Sequence, residues 1–335
     1  MNLIIPMAGR GKRMRPHTIV TPKPLLPIAG KPIVERLVED IATLNNREIH
    51  EIGFVINPDF GSEVEEMLDE IAGKVNAKCR IYYQEQALGT AHAVLCAAES
   101  LEGPATVAFA DTLFRANFTI DPEVDATIWV KQVDDPSAFG VVNTDTAGDI
   151  INFVEKPKEP VSDLAIIGIY YFKDSGVLKK ELQKLIDQKI MDGGEYQLTR
   201  VLSNLKNSGL RFRPGKVDEW LDCGNKNATV DSNKRYLEFI KDTNLVHENA
   251  KLENSVILPP VYVDKNAEIK NSVVGPHVSI GKNAKINNSC IKNSILQSDC
   301  LVENAIFENS MVGKHAKISG KPVDLSMGDY STINL

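Results

Sequence analysis

A glycine-rich basic segment, Ala8-Gly9-Arg10-Gly11-Lys12-Arg13-Met14-Arg15-Pro16, follows directly on an apolar run at residues 3–6. Glycines after a first strand let backbone N–H groups come close to a phosphate chain, so the chemistry suggested is the handling of a polyphosphate. Two familiar glycine motifs do not fit. A dinucleotide fingerprint needs a third glycine where this chain has Met14. A P-loop needs four residues between its glycines and a Ser or Thr after its lysine, where Arg13 stands. The alternative for Arg10, Lys12, Arg13 and Arg15 is a solvated basic loop, the usual fate of a charge run.

Further on, Thr21-Pro22-Lys23-Pro24-Leu25-Leu26-Pro27-Ile28 leads into Gly30-Lys31-Pro32 and then an amphipathic helical pattern. The pair Gly-x-Gly-x-Arg-Met-x-Pro and Pro-Lys-Pro-Leu-x-Pro-Ile-x-Gly-Lys-Pro resembles the N-terminal signature of the sugar nucleotidylyltransferases. That family includes glucose-1-phosphate thymidylyl-, uridylyl- and adenylyltransferases and N-acetylglucosamine-1-phosphate uridylyltransferases. The resemblance implies that Ala8, Gly9 and Gly11 surround a nucleotide. It puts Arg13 and Lys23 on the triphosphate and at the reacting phosphate. Such a role suits phosphoryl transfer, which is catalysed largely by positioning and charge neutralisation. Lys12 departs from the family, whose members carry a small Thr or Ser there, and receives no role.

Other stretches extend the resemblance. In Tyr83-Gln84-Glu85-Gln86-Ala87-Leu88-Gly89-Thr90-Ala91-His92, it implies nucleobase contact by Gln84 and nucleotide binding by Gly89 and Thr90. A glutamine amide offers a donor and an acceptor, which suits a pyrimidine imide edge. His92 reads as packing on its helix rather than as a base, because an ionised sugar phosphate needs no deprotonation to attack. Asp111, after the run 106–109, and Asp222, in Trp220-Leu221-Asp222-Cys223-Gly224-Asn225, match the family's two Mg²⁺ ligands. In isolation either would read as a turn residue. Mg²⁺ takes few protein carboxylates and bridges phosphate oxygens, so the pairing is chemically apt.

Phe139-Gly140-Val141, Glu155-Lys156-Pro157 and Gly194-Glu195-Tyr196-Gln197-Leu198-Thr199 match the family's sugar-side elements. By resemblance, Gly140, Glu155 and Glu195 contact sugar hydroxyls and Lys156 meets the sugar phosphate. Glu155 reads alternatively as a plain surface charge. Ile166-Ile167 stand where many relatives have a polar or small residue touching the sugar, which leaves the sugar's identity open.

These residues need a scaffold that brings strand ends together. Apolar runs at 3–6, 51–56, 80–83, 106–109 and 126–130 read as strands, alternating with helical patterns at 33–44, 61–71 and 89–98. The alternation predicts an α/β domain over residues 1–242, with a Rossmann-like, mainly parallel sheet covered on both faces. In such sheets ligands bind at the carboxyl ends of the strands. From about residue 247 the rhythm changes. Ile257, Val263, Ile269, Val274, Ile280, Ile286, Ile291, Leu296, Leu301, Ile306, Val312 and Ile318 recur every five or six residues, with Asn, Ser, Gly, Lys and Asp between them. This is the period of a hexapeptide-repeat β-helix, left-handed by the family resemblance, over 247–320 with a tail at 321–335.

Composition limits the rest. A net charge of −7 argues against sequence-independent nucleic-acid binding. Five scattered cysteines read as reduced thiols of a cytoplasmic protein, and no run is long enough for a membrane span. The expected activity is nucleotidylyl transfer from a nucleoside triphosphate, UTP or dTTP favoured, to a sugar 1-phosphate, with Mg²⁺ as cofactor. A homo-oligomer is expected by resemblance. Two alternatives stay open: an inactive regulatory subunit of the same fold, and a bifunctional enzyme with acyltransferase activity in the β-helix.

Overall fold

The strand Asn2–Pro6 buries Leu3, Ile4 and Ile5 completely. A strand apolar on both faces belongs in the middle of a covered sheet, and here parallel neighbours flank it, Glu51–Ile56 on one side and Ala105–Ala108 on the other. The computed structural model describes residues 1–44, 48–116, 120–159, 161–321, 323 and 325–333. Positions 322, 324, 334 and 335 of the expected tail lie outside the described residues. The chain divides into two units, Met1–Leu26 with Lys31–Thr229 and Pro27–Gly30 with Val230–Leu335.

In the first unit the main path of the sheet runs Ile150–Glu155, Gly140–Thr144, Leu164–Phe172, Ala105–Ala108, Asn2–Pro6, Glu51–Ile56, Lys78–Tyr83. The last four are mutually parallel. Leu164–Phe172 pairs antiparallel with Ala105–Ala108, and Gly140–Thr144 antiparallel with Ile150–Glu155, so the sheet is mixed. Helices cover the parallel half because their apolar residues fall on one stripe. In Ile33–Leu44 the buried apolar positions are Ile33, Val34, Leu37, Val38 and Ile41, with Glu35, Arg36 and Asp40 buried beside them, and in Ser62–Lys74 the buried positions are Val64, Leu68, Ile71 and Ala72. Each such large side chain contributes about 1.5–3 kcal/mol on burial. A short antiparallel pair, Thr112–Arg115 with Glu219–Asp222, stands apart from the main sheet.

The second unit contains the coils that the hexapeptide period predicts. Lys251–Glu253, Glu268–Lys270, Lys285–Asn287, Leu301–Glu303 and Lys317–Ser319 form one parallel stack, and two four-stranded stacks form the other faces. The corners are left-handed Asn residues, including Asn254, Asn271, Asn288 and Asn304, which tolerate positive φ. Their amides form ladders from coil to coil. Asn254 donates to Asn271, 17 residues on, and Asn288 donates to Asn304, 16 residues on. That lost residue corrects two expected core positions. Val302 opposes Ile286 and Phe307 opposes Ile291, so Leu301 and Ile306 are not the inward residues, and Ile306 is 87% exposed. A one-residue slip turns each side chain to the other face.

Candidate active site

A cleft of about 400 Å³ opens where three of the parallel strands end. Ala8, Gly9 and Gly11 reach it from the first strand, Gln84 from Lys78–Tyr83, and Asp111 from Ala105–Ala108. The cleft thus lies where the carboxyl-end rule would place a ligand. Gly11 has φ 57°. A Cβ there would lie 2.9 Å from Cβ of Lys23, so the loop packs onto the lysine only because residue 11 is glycine. Thr18 Oγ1 donates to Gly11 O at 2.8 Å and closes the turn. The short helical turn Lys12–Met14 is anchored by the buried Met14, which leaves Lys12 and Arg13 exposed. Arg13 and Lys23 both line the cleft.

At another part of the cleft, Gly89 and Thr90 are locked to the segment carrying Glu195. Gly89 has φ 115°, and a Cβ would meet Tyr196 O at 2.5 Å. Tyr196 N donates to Leu88 O at 2.8 Å, and Ala91 N donates to Tyr196 O at 2.9 Å. The Thr90 hydroxyl accepts from Leu198 N at 3.0 Å. This docking brings Glu195 to the cleft wall beside Gly89 and Thr90. Gln84 is buried, and its Nε2 lies 3.3 Å from Gly89 O and 3.0 Å from His92 Nδ1. Burial lowers the His92 pKa, so the ring is neutral at neutral pH.

The two aspartates are brought together by the short antiparallel pair. Thr112 pairs with Asp222, and Cys223 N donates to Asp111 O at 3.0 Å. Lys23 Nζ donates to Asp111 Oδ2 at 2.8 Å. Asp222 Oδ1 accepts from Gly224 N at 2.8 Å. Burial raises the Asp222 pKa and the Asp111 charge raises it further, while Lys23, the Gly224 N–H and Arg13 pull it down. A carboxylate whose ionisation is disfavoured by burial and by a second carboxylate forms, with that neighbour, a donor set that a divalent cation fits. Among the described residues no cluster of three or more His, Cys, Asp or Glu side chains is arranged for a metal. Two carboxylates completed by water and phosphate oxygens is the habit of Mg²⁺.

The remaining expected residues form a neighbouring cluster. Gly140 pairs with Glu155, whose Oε2 accepts from Thr199 Oγ1 at 3.1 Å. Burial raises the pKa of the Tyr170 phenol and the carboxylates of Glu155 and Asp111 add to it, which ties this cluster electrostatically to the aspartates. Phe139 and Trp220 meet edge to face at 4.7 Å, joining the Gly140 hairpin to the Asp222 strand. Lys156 is exposed, with Nζ 3.5 Å from Glu155 Oε1. Gly140, Glu155, Lys156 and Asp222 do not line the cleft itself. Ile166 is buried 3.4 Å from where a Gly140 Cβ would stand, so the apolar departure does adjoin the sugar-side residues. Sequence reasoning misses Tyr170 and Thr199 and gives His92 only a packing role. Thr199 lies inside a quoted motif, whereas nothing in the local pattern marks Tyr170.

Residues 3–238 match the family described as nucleotidyl transferase, and residues 257–325 match the GMPPB C-terminal domain. The bifunctional protein GlmU of Methanococcus maripaludis is 32% identical over 260 residues, covering 76% of this chain and 58% of that protein. The chain thus spans under two thirds of the GlmU relatives' length. A glucose-1-phosphate thymidylyltransferase of Streptomyces antibioticus is 29% identical, with 78% of each chain covered. A solved nucleoside-diphosphate-sugar pyrophosphorylase from Vibrio cholerae shares the fold, with a TM-score of 0.59 and 21% identity over 69% of this chain and 99% of that one. Among the described residues no helix is long and apolar enough to cross a membrane.

Proposed function

The chain belongs to the nucleotidyl transferase family, and on that premise we propose that it transfers a nucleotidyl group from a nucleoside triphosphate to a sugar 1-phosphate. A phosphate oxygen of the sugar 1-phosphate attacks the α-phosphorus. The new P–O bond forms as the bond to the β-phosphate oxygen breaks, and pyrophosphate leaves. No proton has to be removed from the attacking oxygen, and no covalent enzyme intermediate is needed.

The observation that carries this reading is the meeting of Lys23, Asp111 and Asp222 beside a glycine loop at the strand ends. Arg13 and Lys23 are the cations that neutralise charge building on the phosphates. Gly9 and Gly11 let the backbone approach the triphosphate. Gln84, with Gly89 and Thr90, meets the base, and UTP or dTTP is the favoured donor. Gly140, Glu155 and Glu195 face the sugar, and Lys156 binds its phosphate. Asp111 and Asp222 would hold Mg²⁺, which would supply charge neutralisation when bound.

The test is pyrophosphate release in Mg²⁺ buffer, crossing UTP, dTTP, GTP, ATP and CTP with a panel of sugar 1-phosphates, beside an Asp111→Ala control. Turnover with a defined pairing, abolished in the control, supports the reading. A folded protein silent across the panel would sink it in favour of a non-catalytic subunit.

A further inference from the structure

His92 stands on the helix Thr90–Cys96, and its Nδ1 lies 3.0 Å from Gln84 Nε2. The same Nε2 lies 3.3 Å from Gly89 O. A backbone carbonyl only accepts, so the amide atom facing Gly89 must be nitrogen, and this settles the sense of the Gln84 side chain. With the nitrogen so placed, its second hydrogen points to His92 Nδ1. That ring nitrogen must then be the bare acceptor, with the imidazole proton on Nε2. Both amide hydrogens are spent inside the protein. Gln84 Oε1 has no protein partner among the described residues, and the side chain lines the cleft. Gln84 therefore offers an incoming base an acceptor alone, not the donor–acceptor pair that a free amide would present.

We propose that His92 is a positioning residue for nucleobase recognition, holding the Gln84 amide so that the site selects bases whose Watson–Crick ring nitrogen carries a hydrogen. Uracil and thymine at N3 and guanine at N1 meet that condition. Cytosine N3 and adenine N1 are bare acceptors that would face the Gln84 oxygen with no hydrogen between them. An unpaired acceptor in a buried site is costly, which is how a single amide discriminates. Burial keeps His92 neutral, as this arrangement requires. The inference rests on the reading above in taking Gln84 as the base-contacting residue, and it groups guanine with the uracil and thymine favoured there while setting adenine and cytosine apart.

The experiment pairs calorimetric titration of the five nucleoside triphosphates with steady-state kinetics on the full chain. His92→Phe keeps a ring but removes the acceptor. His92→Asn puts an Oδ1 acceptor near the place of Nδ1. In His92→Phe the affinity for triphosphates of uracil, thymine or guanine should fall about five- to tenfold, the worth of one lost hydrogen bond. ATP and CTP should change little, so base discrimination narrows, and KM for the sugar phosphate should not move. His92→Asn should restore the discrimination. Unchanged discrimination in His92→Phe, equal weakening of all five nucleotides, or an Asn variant as impaired as Phe would overturn the proposal. Normal turnover with a base preference indifferent to His92 removes this inference alone. The expected titration pattern without pyrophosphate release removes the proposed activity and leaves His92 in its role. A wild-type protein that binds none of the five overturns both.

Discussion

The Lys23 ammonium lies 2.8 Å from an Asp111 carboxylate oxygen, with 9% of the lysine side chain exposed against 43% of the aspartate's. Asp111 in turn raises the pKa of Asp222, and Lys23 lowers it. One buried cation thus balances two carboxylates on separate segments. Removing one member of such a set leaves like charges facing each other. Lys23→Met should lower kcat by about a hundredfold or more, the scale of losing one preorganised charge at a phosphoryl centre. Its Tm should lie below wild type in EDTA, and Mg²⁺ should narrow the gap, because a ligand bound to the native state stabilises it. Pyrophosphate release and thermal melts with and without Mg²⁺ check both effects.

Asp222→Asn should separate stability from activity. The substitution is nearly isosteric and removes a charge that burial and Asp111 both disfavour. In EDTA its Tm should equal or exceed that of wild type, while Mg²⁺-dependent turnover falls about a hundredfold or more. A variant that loses stability in EDTA but keeps its rate would contradict the assignment.

Two glycines of the cleft should behave oppositely. An Ala at Gly89 would set its Cβ 2.5 Å from Tyr196 O, on a backbone at φ 115°. The cost should be roughly 2–4 kcal/mol in a denaturant titration. At Gly9 a Cβ would meet nothing within 4 Å. Gly9→Ala should leave the denaturation midpoint unchanged and act only on KM for the nucleoside triphosphate.

The thiols give a pH dependence with a definite sign. Burial pushes Cys79 and Cys300 up to about 11. Between the ordinary thiol pKa of 9.0 and about 11, the unfolded chain releases protons that the native chain retains. Stability from these groups is therefore complete below that window and lost as pH rises through it. At pH 8 a disulfide reagent should label the exposed Cys290 first, with Cys79, the buried Cys223 and Cys300 following in denaturant. Urea midpoints across the alkaline range and a timed thiol titration read the two effects.

Asn283 links three coils, accepting from Asn266 Nδ2 at 3.3 Å and donating to Asp299 Oδ1 at 3.0 Å. Its φ is 58°. Asn283→Ala loses both amide bonds and strains the corner, so it should cost about 1–2 kcal/mol. Asn283→Gly keeps the conformation and should recover part of that loss, both variants being compared with wild type by thermal melts.

Much of this was legible locally. The strand at 51–56 and the helix at 33–44 coincide with the observed elements, because apolar residues on both faces and apolar residues on one stripe leave different periods. That the glycine loop would reach a cleft was readable from glycines and cations at a strand end. The hexapeptide period announced stacked coils, yet it missed the inward residues near 301–307. Period alone carries no record of a coil shortened by one residue, and only the paired neighbours reveal it.

Composition and spacing, which are local properties of the chain, already specify the two kinds of architecture and name the charged residues. What those residues do to one another comes from the tertiary fold. Asp111 and Asp222 are coupled because antiparallel pairing sets Thr112 against Asp222. Thr199 meets Glu155 only because the Glu195 segment docks on Gly89. His92 and Gln84 lie close in sequence, but the sense of the amide between them depends on a carbonyl placed by the intervening turn. Hydrogen bonding and Coulomb coupling act over a few ångströms in space, and separation along the chain does not encode those distances.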